Sequence, residues 1–192
     1  MEFVTFAHER HYHKAQRRAV KRKSNLPAFT LDEMIVVAGH CSRMFSGKDY
    51  LIRGICHGAK NGLERRRLLE LMDRNCEIVC TDLFPGEDVL QWDFRHQRDE
   101  WIGAFDFLYS NSLDHARNPW DCLRVWLAQL KLNGRIYIQW TPAHLTVQGG
   151  DCFGASLNEY IAVIDEVGEV EDLLYCGRSI VILVAKRADE QH

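Results

Sequence analysis

The sequence has no long apolar run: nothing in it approaches the roughly 20 residues that a helix needs to cross a bilayer. Its start has no apolar stretch set between charges and a small-residue cleavage site, so no secretory signal and no membrane partner are expected. None of the seven cysteines (Cys41, Cys56, Cys76, Cys80, Cys122, Cys152, Cys176) forms a CxxC pair. An odd number without framework spacing predicts reduced thiols and a cytoplasmic setting. Cys76 and Cys80 lie four apart, but in an apolar strand-like run, so no metal centre is expected from them. Repeats and low-complexity segments are absent as well. So is a large net charge: 24 Lys plus Arg face 27 Asp plus Glu in 192 residues, a formal −3 that argues against a dedicated nucleic-acid binder.

The charge is unevenly spread. Residues 1–24 hold seven Lys or Arg against two Glu, a net of +5, and the rest holds 17 basic against 25 acidic residues, a net of −8. A basic arm (1–24) therefore precedes an acidic body (25–192). The arm has a helix-forming stretch over 8–23 without a sustained apolar stripe, ended by Asn25-Leu26-Pro27. Thr30 with Glu33 three residues on reads as a capping box for an amphipathic helix over 31–45, stopped at Ser46-Gly47-Lys48.

From there strands and helices alternate. Strands are expected at Tyr50–Ile55, Glu77–Thr81, Asp88–Gln91, Phe105–Tyr109 and Arg135–Trp140, and helices over Leu63–Arg74, Pro119–Leu130 and Leu157–Val167. A final pair, Val170–Tyr175 and Ser179–Ala185, is joined by a two-residue turn at Cys176-Gly177. Strands separated by helices imply right-handed crossovers and a largely parallel sheet covered on both faces.

Ligands of such sheets sit beyond the carboxyl ends of the strands. After the first strand come Gly54, Cys56, His57 and Gly58, with Gly62 opening the helix; glycine here admits close approach of a ligand, or simply makes a turn. After the second comes Asp82, 24 residues past Gly58, where a carboxylate can accept both hydroxyls of a ribose or merely close a turn before Pro85-Gly86. Asp93-Phe94 follows the third, an acid and an apolar neighbour fit for an adenine, or simply a capping acid. Ser110-Asn111-Ser112-Leu113-Asp114-His115 follows the fourth, a polar cluster where reacting groups would lie.

The order of these features, with Phe105-Asp106 opening a strand, His115 closing the polar stretch and Leu130-Lys131-Leu132-Asn133-Gly134 turning into the fifth strand, resembles the class I S-adenosylmethionine-dependent methyltransferases over about residues 48–186. The resemblance implies an α/β fold with a seven-stranded, mostly parallel Rossmann-like sheet in the order 3-2-1-4-5-7-6 and an antiparallel C-terminal hairpin. It also implies S-adenosyl-L-methionine as cofactor. Gly54, Cys56 and Gly58 would meet its methionine part, Asp82 with Leu83 the ribose end, Asp93 and Phe94 the adenine, and Ser110 and Asn111 the sulfonium. Ile52 stands where the family usually has an acid, and Asp114 is a candidate to meet the cofactor's ammonium instead.

His115, His144 and Asp151 are the candidate bases, and His144, after Thr141-Pro142 on the substrate side, is the preferred one. His115 occupies a place where the family often keeps a histidine for packing or capping. Segment 141–155, with Gly149-Gly150 and Gly154, reads as a loop able to close over substrate. The expected reaction is methyl transfer to an oxygen or nitrogen of a small polar or anionic metabolite, drawn by the basic arm. An RNA or protein acceptor, a non-catalytic scaffold role and a homodimer stay open at this level.

Overall fold

The computed structural model describes residues 1–22, 28–47, 49–72 and 75–187. The expected break at Asn25-Leu26-Pro27, Lys48 of the expected helix stop, and the last two residues of the helix read over 63–74 lie outside the described residues.

The chain opens with a two-residue strand β1 (Glu2–Phe3) and helix α1 (Glu9–Arg22), followed by α2 (Leu31–Met44). The box expected at the start of α2 is present: Glu33 N–H donates to Thr30 Oγ1 at 3.2 Å while Thr30 N–H reaches Glu33 Oε2 at 3.5 Å. Then come β2 (Ile52–His57), α3 (Leu63–Leu71), β3 (Cys76–Asp82), β4 (Leu90–Gln91), β5 (Phe105–Ser110), α4 (Pro119–Gln129), β6 (Leu130–Trp140), β7 (Phe153–Gly154), α5 (Leu157–Asp165), β8 (Glu169–Cys176) and β9 (Ser179–Ala185).

The main sheet runs β4-β3-β2-β5-β6-β9-β8. Counting its own strands in chain order, that is 3-2-1-4-5-7-6, as expected. The first five strands pair in parallel, while β9 is antiparallel to both β6 and β8. The hairpin turn falls one residue later than the sequence reading has it. Cys176 pairs with Ser179, both buried, so the turn is Gly177-Arg178, and Gly177 takes the positive φ (65°) that such turns demand.

Alternation along the strands divides the core in two. Leu108, Ile136 and Ile138 pack with Leu123 and Trp126 of α4 and Tyr160 and Ile164 of α5. Phe107, Tyr109 and Tyr137 face the other way, against Met34, Val37 and Cys41 of α2 and Leu68 of α3. Glu33 enters this second layer and accepts hydrogen bonds from Tyr109 (2.5 Å), Gln139 (2.7 Å) and Ser179 (3.2 Å), so its buried carboxyl serves the fold.

Two features had no sequence signal. Strand β1 pairs antiparallel with β7, tying the chain's first residues to the 141–155 segment. That segment also contains a 3-10 turn at Pro142–Leu145. Helix α1 lies on the body by a narrow face: Tyr12, Gln16 and Ala19, spaced four and three apart, are buried, while Arg10, Lys14, Arg17 and Arg18 point outward.

Candidate functional site

The carboxyl ends of β2, β3 and β5 open onto one cleft of about 840 Å³, its mouth included. Gly58, just past β2, has φ 74°, and any side chain there would strike Ser112, so the residue lets the β2–α3 loop fold tightly beneath the β5 end. Asp82 ends β3. Its Oδ1 accepts the Phe84 N–H at 2.7 Å, which bends the chain away and leaves Asp82, Leu83 and Phe84 in the wall. Phe94, held beneath by Trp126, whose ring nitrogen donates to the Phe94 carbonyl at 3.1 Å, forms an apolar wall.

Helix α1 closes the cleft from outside through Tyr12, Gln16, Ala19 and Val20. The Tyr12 hydroxyl donates to the His115 carbonyl (3.2 Å), Gln16 to the Gly150 carbonyl (2.5 Å), and Lys60 to the Val20 carbonyl (3.1 Å). Glu9 grips Arg95 at 2.5 Å and Arg117 at 2.6 Å, and the Arg95 guanidinium lies 4.2 Å over the Tyr12 ring. Burial pushes the Glu9 carboxyl up, but the Arg95 and Arg117 bonds outweigh it and hold it below the usual range.

Of the residues singled out from sequence, Gly58, Asp82, Leu83, Phe94, Asn111 and His115 line this cleft. Gly54, Cys56, Asp93, Ser110, Asp114, His144 and Asp151 lie outside its lining. Gly54 is mid-strand with the Phe107 ring pressed where a Cβ would be, so the glycine makes room for a core ring. Cys56 is fully buried among Cys80, Phe107 and Tyr109 on the α2–α3 side of the sheet, and its hydrogen bond with the neighbouring Cys80 thiol, together with burial, raises its own thiol well above the ordinary value. Ser110 donates to the His57 carbonyl (3.1 Å) and accepts the Ser112 N–H (3.2 Å), bracing the ends of two strands. Asp93 is engaged by Arg95, whose Nε and Nη2 reach its carboxylate at 2.9 and 2.5 Å. Burial acts to raise that carboxyl and the Arg95 contacts bring it below the usual range.

His144 is a capping residue. Its Nδ1 accepts the Thr141 N–H at 3.0 Å, its ring stacks 5.9 Å from that of Tyr160, and its Nε2 faces Asp114 at 3.8 Å. Asp114 itself is buried behind the cleft wall and is not part of the lining.

The second acid that lines the cleft, beside Asp82, is Glu64, in the first turn of α3. It is 5% exposed; Oε1 accepts from Asn111 at 3.4 Å, and Oε2 is buried without a hydrogen-bond partner among the described residues. Burial raises its carboxyl, with the charge of Asp82 adding to the effect against the opposing Asn111 bond. An acid in the first turn of a helix reads from sequence as a partner of the helix dipole, which is why nothing in the sequence separated it from Asp32 or Asp121. Two carboxylates, two apolar walls and a line of amide and hydroxyl groups (Asn61, Asn111, Ser112) are what the cleft offers a ligand.

No family model and no curated sequence matches the chain. Solved structures do. The 1,6-didemethyltoxoflavin-N1-methyltransferase of Burkholderia thailandensis, solved with 1,6-didemethyltoxoflavin and S-adenosylhomocysteine bound, aligns with TM-score 0.62 at 14% identity over 95% of this chain and 92% of its own. The mitomycin 7-O-methyltransferase MmcR aligns with TM-score 0.60 at 17% identity over 82% of this chain, which spans only about half (54%) of the longer enzyme. The [4+2]-cyclase SpnF aligns with TM-score 0.59 at 13% identity over 81% of each chain. The last of these is a reminder that a shared fold does not fix a reaction. From strand order, hairpin and neighbours together, this chain has the class I Rossmann-like methyltransferase fold.

Proposed function

We propose that the protein transfers a methyl group from S-adenosylmethionine to an oxygen or nitrogen of a small polar or anionic metabolite. The observation that carries this reading is the pair of cleft-lining carboxylates, Asp82 and Glu64, set in a narrow apolar-walled space beyond the strand ends. A ligand with a ribose diol, an aromatic base and two cationic centres suits that donor set. On this reading Asp82 accepts the ribose hydroxyls, Leu83 and Phe94 flank the adenine, and Asn111 and Ser112 border the sulfonium. Glu64 takes the ammonium, a role that Ile52 cannot fill. Its oxygen without a hydrogen-bond partner among the described residues is what fits it for that role, because a buried carboxylate oxygen left so is costly and a cation relieves it.

The bound cofactor supplies an electrophilic methyl. The chain's share is to hold the acceptor in line at about 3–3.5 Å and to keep water out. Helix α1 supports a small acceptor, since Tyr12, Gln16 and Ala19 occupy the face that a macromolecule would need. Its exposed Arg10, Lys14, Arg17 and Arg18 favour anionic molecules at the mouth. His115 borders the acceptor end. Neighbouring folds include both an O- and an N-methyltransferase, in keeping with either acceptor atom. Seven unpaired cysteines, six of them buried, fit a reducing, cytoplasmic setting.

The Glu64 role is testable apart from the rest. Glu64→Gln should weaken S-adenosylhomocysteine about tenfold, the loss of one charged contact of about 1.4 kcal/mol. It should leave 5′-methylthioadenosine, which has no ammonium, unaffected in parallel calorimetric titrations. Equal losses for both ligands would remove Glu64 from that assignment.

A further inference from the structure

Behind the cleft wall lies a cluster of side chains that the proposed reaction does not require. We propose that Asp114, His115 and Asp151 form a binding site for a divalent cation. One donor atom from each, two carboxylate oxygens and a ring nitrogen, lie within 4.8 Å of one another, and His115 Nε2 stands 3.9 Å from Asp151 Oδ1. Ligand bonds of about 2.0–2.2 Å place adjacent donors roughly 3–4 Å apart, so small side-chain movements close the set around an ion.

The backbone that carries these donors is fixed without any ion. Asp114 and His115 sit on the 3-10 turn Leu113–His115 after β5. The segment bearing Asp151 is pinned to that turn by the Cys152 N–H on the Asp114 carbonyl (2.6 Å) and the Cys152 thiol on the His115 carbonyl (3.0 Å). His115 Nδ1 lies 3.3 Å from the Gly150 carbonyl. Donation there keeps the proton on Nδ1 and turns the Nε2 lone pair toward the carboxylates, the arrangement usual for metal-bound histidine. His144 Nδ1 accepts the Thr141 N–H, and its Nε2 faces Asp114 Oδ2 at 3.8 Å, beyond hydrogen-bond reach.

A separate observation points to a missing ligand. Asp114 is 5% exposed, and its Oδ1 is buried with no hydrogen-bond partner among the described residues. A cation would answer that carboxylate. Oxygen–oxygen–nitrogen donation suits Mn²⁺ or Zn²⁺ and not a soft monovalent metal. The side chains of His115 and Asp151 are 10% and 13% exposed, enough for entry from solvent. The ion would stand beside the acceptor end of the cleft, which His115 also lines, but the site rests on its own geometry and its test uses no cofactor.

The test is titration of the full-length protein, first stripped with a chelator, with MnCl₂, following free Mn²⁺ by electron paramagnetic resonance and adding Zn²⁺ as competitor. One site per chain is expected, with Asp151→Asn weakening it at least about tenfold and Asp114→Asn abolishing it. Asp114 is buried and its variant can lose the fold; Asp151, at the edge, then decides. His13→Ala reports on the other grouping, Glu9, His13 and the half-buried Asp93, and should leave binding unchanged. Three results each overturn the proposal: no saturable uptake of Mn²⁺ at about 1 mM, affinity undiminished in Asp151→Asn, or loss of binding in His13→Ala.

Discussion

Replacing Asp82 by Ala should weaken S-adenosylhomocysteine binding about 100-fold in calorimetric titration. The estimate follows from the chemistry assigned to the residue: hydrogen bonds to a charged acceptor contribute about 1.5–3 kcal/mol each, and the loss of a bonded ribose diol removes about 3 kcal/mol or more, two decades in affinity. The same carboxylate also accepts the Phe84 N–H at 2.7 Å, so the alanine loosens the turn that shapes the wall. Asp82→Asn separates the two contributions. It keeps an acceptor for Phe84 and loses only the charge, and should cost about tenfold. A folded Asp82→Ala protein with unchanged affinity would refute the site.

The second large effect is on stability, from the histidine that stands inside the glycine-containing first-strand segment. His57 ends β2 and is buried, its ring bridging Thr81 Oγ1 at 2.7 Å and Gln129 Oε1 at 2.9 Å and packed against Phe94, Trp101 and Trp126. Burial lowers its pKa to about 4, with the Gln129 bond offsetting part of the effect. The folded protein therefore holds this imidazole neutral where an unfolded chain, near 6.5, takes up a proton. The stability that His57 contributes is fully present above pH 6.5 and is lost as the pH falls toward 4, by about 3 kcal/mol at roughly 1.4 kcal/mol per unit. Denaturant unfolding of the wild type and of His57→Gln at pH 7 and pH 4.5 measures it. The wild type should lose about 2–3 kcal/mol more than the variant over that interval, whereas parallel losses would show the imidazole to be solvated. Because His57 packs beneath Phe94, its protonation should also loosen one wall of the cleft.

These residues show what the sequence could and could not disclose. The largely parallel sheet with its closing hairpin was legible because its strands alternate with helices, its strand order only through the resemblance to the methyltransferase family, and the capping box at Thr30 was legible because Thr30 and Glu33 lie within one turn. The β1–β7 pair was not, for it joins Glu2 to Gly154 and Phe3 to Phe153 by two residues a side, too few to leave a periodic signal. At the site, the residues at the strand tips were the readable ones: Asp82, Leu83 and Phe94 are where a chain leaving a strand must place them. Gly54 and Cys56 misled because a glycine or small residue in a strand has two explanations. In Gly54 the Phe107 ring provides the second. Asp93 looked free only because Arg95, two residues on, gave no sign of folding back upon it. Glu64 and the arm residues Tyr12 and Gln16 enter the cleft from α3 and α1, and such convergence is a property of packing, not of any local pattern.

The arm ends as part of the same structure: half its helix closes the cleft and the other half faces solvent with its cations. All of this turns on whether the cleft holds the cofactor. The direct measurement is calorimetric titration of the full-length wild-type chain with S-adenosylmethionine and with S-adenosylhomocysteine. The account predicts one site per chain with micromolar affinity, about −8 kcal/mol, for both ligands. No heat from either at about 1 mM would contradict it.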